Sequence, residues 1–331
     1  MGKKRKITVV TGAAGHVGGN LIRTLLERGD HVRVLVHQDL RAIQDLDVEI
    51  VRGDVCHSAD LERAFSGADV VYHGAAVISL LLKDRSRIQK INIEGVRNVV
   101  NACIKCNVSR LVHFSSIHAH AQHPLNECID EDRPFVEDSR WAPYDYSKAA
   151  GEAELRKGME RGLNAVIINP TGIIGPFDFK PSHTGDAIQR MATGRLPALV
   201  RGGFDWVDVR DVVEMAIRAE ETAASGSKYI ISGHWAPVAD IAVLVERITG
   251  IKRPRFVSPL WLAQVGVPFI GAYAALTKTR PLYTTFSLMT LRGNRCMSHD
   301  RASRELGYRP RPFEETIQDT VKWFQEAGYI S

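Results

Sequence analysis

The stretch Val9-Val10-Thr11-Gly12-Ala13-Ala14-Gly15-His16-Val17-Gly18 joins an apolar, β-branched run to an amphipathic helical pattern through a turn with almost no side chains. Ile7-Thr8-Val9-Val10 has the composition of a buried parallel strand, and Leu21, Ile22, Leu25 and Leu26 recur at helical spacing just beyond. Such glycine-rich junctions also occur for purely steric reasons, and the flanking strand and helix are what favour a nucleotide site. Gly12 can take backbone angles that other residues resist, Gly15 admits a pyrophosphate close to the main chain, and Gly18 lets the helix pack on the strand. The start of the helix then offers unpaired N–H groups and a partial positive charge. The turn therefore reads as a dinucleotide cradle built from Gly12, Ala14, Gly15, His16 and Val17.

The glycine spacing is Gly-x-x-Gly-x-x-Gly, which resembles the extended short-chain dehydrogenase/reductases, the NAD-dependent epimerase/dehydratase group. Downstream, strand and helix patterns alternate at short intervals. Val32–Val36 and Val48–Val51 read as strands, Leu61–Phe65 as a helix, and Asp69–Tyr72 and Leu111–Phe114 as further strands. Right-handed crossovers between them imply an α/β fold, a Rossmann-type doubly wound parallel sheet. The 331 residues leave room for a smaller C-terminal substrate-binding lobe. The expected division is a nucleotide-binding domain over 1–175 and a lobe over 176–331, with the chain returning to the main sheet near 228–232.

Cofactor choice is made at the end of the second strand, where an acid would bind the ribose hydroxyls of NAD and repel a phosphate. Val36-His37-Gln38 stands there, with Asp39 and Arg41 just beyond. By resemblance to dihydroflavonol reductase-like enzymes, His37 replaces an arginine that grips the extra phosphate. NADP(H) is therefore favoured, with His37 and Arg41 as phosphate partners, while Asp39 keeps NAD(H) open. The resemblance further implies that Asp54, with Val55 beside it, meets the adenine. The small residues Ala75 and Ala76 would let the backbone lie close to the dinucleotide.

Tyr144 and Lys148 are four residues apart on a helical pattern that starts at Pro143, so a phenol and an ammonium share one face. Ser115 and Ser116 follow the fifth strand, at the edge where open α/β sheets hold their ligands. In the family that this order resembles, Tyr144 exchanges a proton with a carbonyl or alcohol oxygen. Ser116 bonds the same oxygen, and Lys148 holds the nicotinamide ribose and lowers the tyrosine pKa. Asn92, in Asn-Ile-Glu-Gly, braces the site as a fourth member of the catalytic set, and Pro170-Thr171-Gly172 closes over the nicotinamide.

The resemblance implies an oxidoreductase that acts on a fairly apolar ketone or secondary alcohol. Phe204-Asp205-Trp206 lacks the arginine with which sugar-nucleotide epimerases neutralise a diphosphate, and Ser115-Ser116-Ile117 lacks the acid pair of the dehydratases. A nucleotide-sugar enzyme is the alternative within the family. A redox sensor that binds dinucleotide without turnover is the alternative outside it, although such relatives typically lose the tyrosine. Aromatic residues of the second half, among them Phe177, Phe179, Trp235, Trp261, Phe269, Tyr273 and Phe286, suit an apolar substrate, and Pro259–Leu276 reads as helices over its cavity.

The remaining expectations are bounds. The formal charge of +5 comes in good part from Lys3, Lys4, Arg5 and Lys6, a solvated end without the wider basic patch that nucleic acid needs. Five cysteines without a secretory signal suggest reduced thiols in a cytoplasm, and Cys103 with Cys106 lacks the second pair of a metal site. His118, His120 and His123 border the substrate, and no metal is expected there because hydride chemistry needs none. No transmembrane span is read. Family resemblance makes a homodimer through the helices after Asn92 and around Tyr144 the default.

Overall fold

The computed structural model describes residues 5–79, 82–137, 142–276 and 283–330. Lys3 and Lys4, and the side chains of Tyr273 and Phe286, lie outside what it describes. The first half alternates as the apolar periodicity requires: β1 (Ile7–Thr11), α1 (His16–Glu27), β2 (His31–Val36), β3 (Glu49–Arg52), α2 (Ser58–Phe65) and β4 (Val70–His73). Next come α3 (Arg85–Gln89), a π-helical turn at Lys90–Glu94, α4 (Gly95–Lys105), β5 (Arg110–Phe114), α5 (Pro143–Glu160) and β6 (Ala165–Pro170). Asp69, expected to open the fourth strand, stays outside it and accepts a hydrogen bond from the Ile7 N–H at 2.8 Å.

The second half runs β7 (Gly172–Ile174), α6 (His183–Ala192), β8 (Leu199–Val200), β9 (Gly203–Asp208), α7 (Val209–Thr222), β10 (Lys228–Ile231), β11 (His234–Pro237) and α8 (Val238–Thr249). It ends with β12 (Val257–Ser258), α9 (Leu260–Leu276), α10 (Thr285–Thr290), α11 (Asp300–Leu306) and α12 (Phe313–Glu326).

The main sheet has seven strands in the order β3-β2-β1-β4-β5-β6-β10, all parallel, so the chain does return to it at Lys228–Ile231. The order reverses between β1 and β4, and such a reversal opens a crevice beyond the strand ends. One apolar cluster includes Leu21 and Leu25 of α1 and Val212 and Ala216 of α7. A second includes Leu61 of α2, Val99 of α4 and Leu155 of α5. A third core, with Ile188, Trp206, Val245 and Phe324, binds α6, β9, α8 and α12 into the lobe.

The structure corrects two expectations. Cys128 and Cys296, 168 residues apart, are joined by a disulfide, leaving Cys56, Cys103 and Cys106 as free thiols. The five cysteines are thus not all reduced, and they no longer argue for a reducing compartment. Pro259–Leu276 also does not form more than one helix. Its residues from Leu260 make the single helix α9, with Trp261 64% and Phe269 75% exposed. Among the described residues, no helix is long and apolar enough to cross a membrane.

Candidate active site

β5 ends at Phe114 and delivers Ser115 and Ser116 to the carboxyl edge of the sheet, where α5 begins with Pro143 in its first turn. Tyr144, Lys148 and Glu152 follow at intervals of four and are all buried. The Lys148 ammonium donates to the Phe114 carbonyl at 2.8 Å. The Ser116 hydroxyl accepts the His118 N–H at 3.2 Å and stands beside the Tyr144 phenol, where it favours the ionised form. The Ser116 carbonyl accepts the Asn169 amide at 3.1 Å, and the same amide donates to buried Glu152 at 2.6 Å. Strand end, helix and β6 are thereby locked around one serine.

Asn92 works from behind. It sits in the π-helical turn, which turns its side chain toward the loop after β4. Its Oδ1 accepts the Val77 N–H at 2.8 Å, while its Nδ2 donates to the Val77 carbonyl at 3.0 Å and to the Ser147 hydroxyl at 3.0 Å. Ser147 in turn donates to the Tyr144 carbonyl at 2.7 Å. Gly151 permits this approach, since a Cβ there would lie 2.7 Å from the Asn92 carbonyl oxygen. Although grouped with the catalytic set by sequence, Asn92 touches α5 and the loop, and acts as a brace.

The electrostatics depart from expectation at one point. Burial raises the Tyr144 pKa above its ordinary value, the Ser116 hydrogen bond pulls it down, and the Asp145 charge raises it further. The Lys148 ammonium, expected to lower it, donates its hydrogen bond to the Phe114 carbonyl. Burial instead pushes Lys148 itself down to about 8, with Glu152 acting in the opposite sense.

The three histidines part company. His118 lies 3.1 Å from the Asp145 carboxylate, stacks on Phe204 at 5.6 Å and meets the Tyr144 ring edge-on at 5.8 Å. Burial lowers its pKa, but the charge and hydrogen bond of Asp145 outweigh that and leave it raised. His120 faces Lys228 at 2.9 Å, and burial first, then that cation, bring it to about 3. His123 is exposed. Sequence reasoning missed Asp145, Glu152 and Asn169. Glu152 had a signal, because it continues the four-residue series from Tyr144 and Lys148.

The cradle fits a bound pyrophosphate. Helix α1 starts after Gly15 with no side-chain cap and no acid in its first turn, so its first N–H groups are left for an anion. Gly12, at φ +77°, lies so close to β4 that a Cβ would come 2.5 Å from the Gly74 carbonyl carbon, and Ala75 N–H reaches Thr11 Oγ1 at 3.4 Å. Ala14 and Val17 are half-buried in the same turn, and Ala76 is exposed beyond Ala75. The His16 ring leaves the cradle, its Nε2 lying 3.1 Å and 3.0 Å from the carbonyls of Gly175 and Pro176, so only its backbone faces the turn.

The other expected cofactor residues are spread along the same edge. Asp54 accepts the Cys56 N–H at 2.9 Å, and the Val55 carbonyl accepts the Asn98 amide at 3.2 Å. His37 is exposed at the end of β2, but Arg41 is paired with Asp39 at 2.6 Å instead of standing ready for a phosphate. Ser115 is buried, its N–H on the Ile168 carbonyl at 2.8 Å. Pro170 ends β6, Thr171 donates to Asp205 at 2.6 Å, and Gly172 packs against the rings of Phe204 and Trp206.

The Lys148 shift has a sign that can be checked without substrate. The folded amine loses its proton at about 8 and the unfolded one about two units higher, so between them the unfolded chain binds more protons and stability rises with pH. Chemical denaturation of wild type and Lys148→Met should show the wild type gaining about 1–2 kcal/mol relative to the variant between about pH 7.5 and 9.5. A constant difference would mean that the buried amine is not desolvated.

Comparison with known proteins agrees with this geometry. A profile of the NAD dependent epimerase/dehydratase family matches residues 8–232. Sterol demethylase protein B of Methylococcus capsulatus is 33% identical over 330 residues, covering 98% of this chain and 99% of its own. A Synechocystis sp. protein with the provisional name dihydroflavonol 4-reductase is 32% identical, covering 97% and 95%. The crystal structure of gox2253 superposes with a TM-score of 0.84 at 32% identity, covering 99% of this chain and 100% of the other. With the sheet, the glycine turn and these relatives in view, the chain belongs to the NAD dependent epimerase/dehydratase family and is an NAD(P)-dependent enzyme.

Proposed function

We propose that the protein moves a hydride between a nicotinamide and the carbonyl or secondary alcohol carbon of an apolar substrate. The observation that carries this reading is the buried grouping of the Ser116 hydroxyl and the Tyr144 phenol beside the His118 and Phe204 rings, one helical turn from Lys148. When bound, a reduced nicotinamide supplies the hydride. Tyr144 gives its phenolic proton to the carbonyl oxygen in reduction and recovers one from the alcohol in oxidation. Its raised pKa keeps the phenol protonated at neutral pH, which suits the reductive direction. Ser116 donates to the same oxygen as negative charge gathers there. Lys148 holds the nicotinamide ribose, and its charge supports the phenolate that forms.

The lobe from 176 onward, apart from the part that returns to the sheet, supplies the substrate pocket. Phe204 and Trp206 are buried in β9, and Asp205 between them is bonded to Thr171 and to the Gly233 N–H. The Phe204 and Trp206 rings, edge to face at 5.6 Å on one side of the strand, support an apolar ring substrate over a nucleotide diphosphate. The names of the sterol and dihydroflavonol relatives point the same way. A two-fold dimer through the outer faces of α4 and α5 completes the reading.

NADP(H) is the favoured cofactor. The end of β2 carries His37 and no free acid, since Asp39 is already neutralised by Arg41. Titration should show tighter binding of NADPH than of NADH. A preference for NADH of tenfold or more, about 1.4 kcal/mol, would mean that Asp39 leaves Arg41 for the ribose.

On a panel of apolar ketones, secondary alcohols and UDP-glucose, turnover should appear with the first two classes. On the substrate found, Tyr144→Phe should lower kcat by ~10²–10⁴-fold with the NADPH dissociation constant within about twofold of wild type, and Ser116→Ala should retain more activity. Lys148→Met should weaken cofactor binding as well as turnover. Wild-type turnover by Tyr144→Phe would pass the proton role to another group, with Tyr146 and His118 first to test.

A further inference from the structure

Helix α9 spans 17 residues, Leu260–Leu276, without a single Asp, Glu, Lys or Arg. A helix apolar on every face belongs inside a protein or against lipid. Yet Trp261, Val265, Phe269 and Leu276 are between 60% and 84% exposed. Phe256, ahead of the helix, and Met289 of α10 add to the surface at 56% and 51%. Water-facing patches of this kind mark a docking surface.

Charge identifies what covers it. Between Glu246 and Asp300 the sequence holds eight Lys and Arg and no acid, although the whole chain has 43 bases against 38 acids, so the remainder is net acidic. Lys252, Arg253 and Arg255 are exposed on the segment that leads into α9, and Arg292 is exposed just after α10. Arg201, also exposed, is joined by its backbone N–H to the Ser258 carbonyl at the entrance of the helix. Basic residues rimming an apolar helix complement negative headgroups above acyl chains. A second copy of the chain would bring like charges together across the same face.

We infer that α9 and its basic rim dock on the surface of an anionic phospholipid bilayer, with the helix lying in the interface. At about 1.5 Å per residue, α9 is about 25 Å long, short of the roughly 30 Å hydrocarbon core, and Pro268 interrupts it. It therefore lies along the surface and does not cross. The inference is independent of the proposed reaction.

Sedimentation of the full chain with vesicles tests it. Vesicles with about one third phosphatidylglycerol should bind the protein at least about tenfold more tightly than phosphatidylcholine alone, and about 0.5 M salt should erase most of that difference. Trp261→Ser/Phe269→Ser should lose about tenfold or more in vesicle binding while keeping its circular dichroism and NADPH affinity. Lys252→Glu/Arg255→Glu should lose the preference for anionic vesicles. Failure to bind anionic vesicles, or equal binding by the Trp261/Phe269 variant, would overturn the inference. So would dissociation of a wild-type oligomer by that variant in light scattering, which would assign the face to a second copy.

Discussion

The hydrogen bonds of Asn92 are the constraint on which the site depends. One side chain satisfies both backbone groups of Val77, as a neighbouring strand would, and holds the Ser147 hydroxyl one residue from Lys148. The loop after β4 and the helix α5 thus share a single reference point. Because Asn92 is buried, losing its amide would leave several polar groups without water or partner. The rotation of α5, and with it the direction of Tyr144 and Lys148, follows from this brace.

The site is built at an electrostatic cost. A lysine, a glutamate and a tyrosine are buried at successive turns of α5, and each has limited satisfaction: a carbonyl for Lys148, an amide for Glu152 and a hydroxyl for Tyr144. Burial raises the phenol and lowers the amine, so two groups whose ordinary proton affinities nearly coincide are driven apart. His118 with Asp145 places a second ionisable pair against the same phenol. Ionisable groups whose proton affinities are pushed apart in a crevice take distinct roles in proton exchange with a substrate oxygen.

Much of this was legible in the sequence because it is local. The strand, glycine turn and helix at the start, the four-residue step from Tyr144 to Lys148 and the Asn92 motif are each contained within a few residues, and the structure puts them at one sheet edge. What the sequence concealed depends on contacts across the chain. The partner of Lys148 is a carbonyl on a neighbouring strand, and Cys128 meets Cys296 only through the fold. The pairing of Arg41 with Asp39 is local, but free and paired forms share one sequence. The exposure of α9 was hidden for another reason: an apolar run has the same periodicity whether it covers a cavity or faces outward.

The most direct measurement of the central claim follows a labelled atom. NADPH carrying deuterium at the nicotinamide C4 position that is transferred should deliver it to the carbinol carbon of a reduced ketone, while the hydroxyl proton comes from solvent through Tyr144. Deuterium on that carbon, found by mass spectrometry or NMR, is the result expected. Turnover of the same ketone in which the carbinol carbon takes its hydrogen from solvent would contradict the hydride reading.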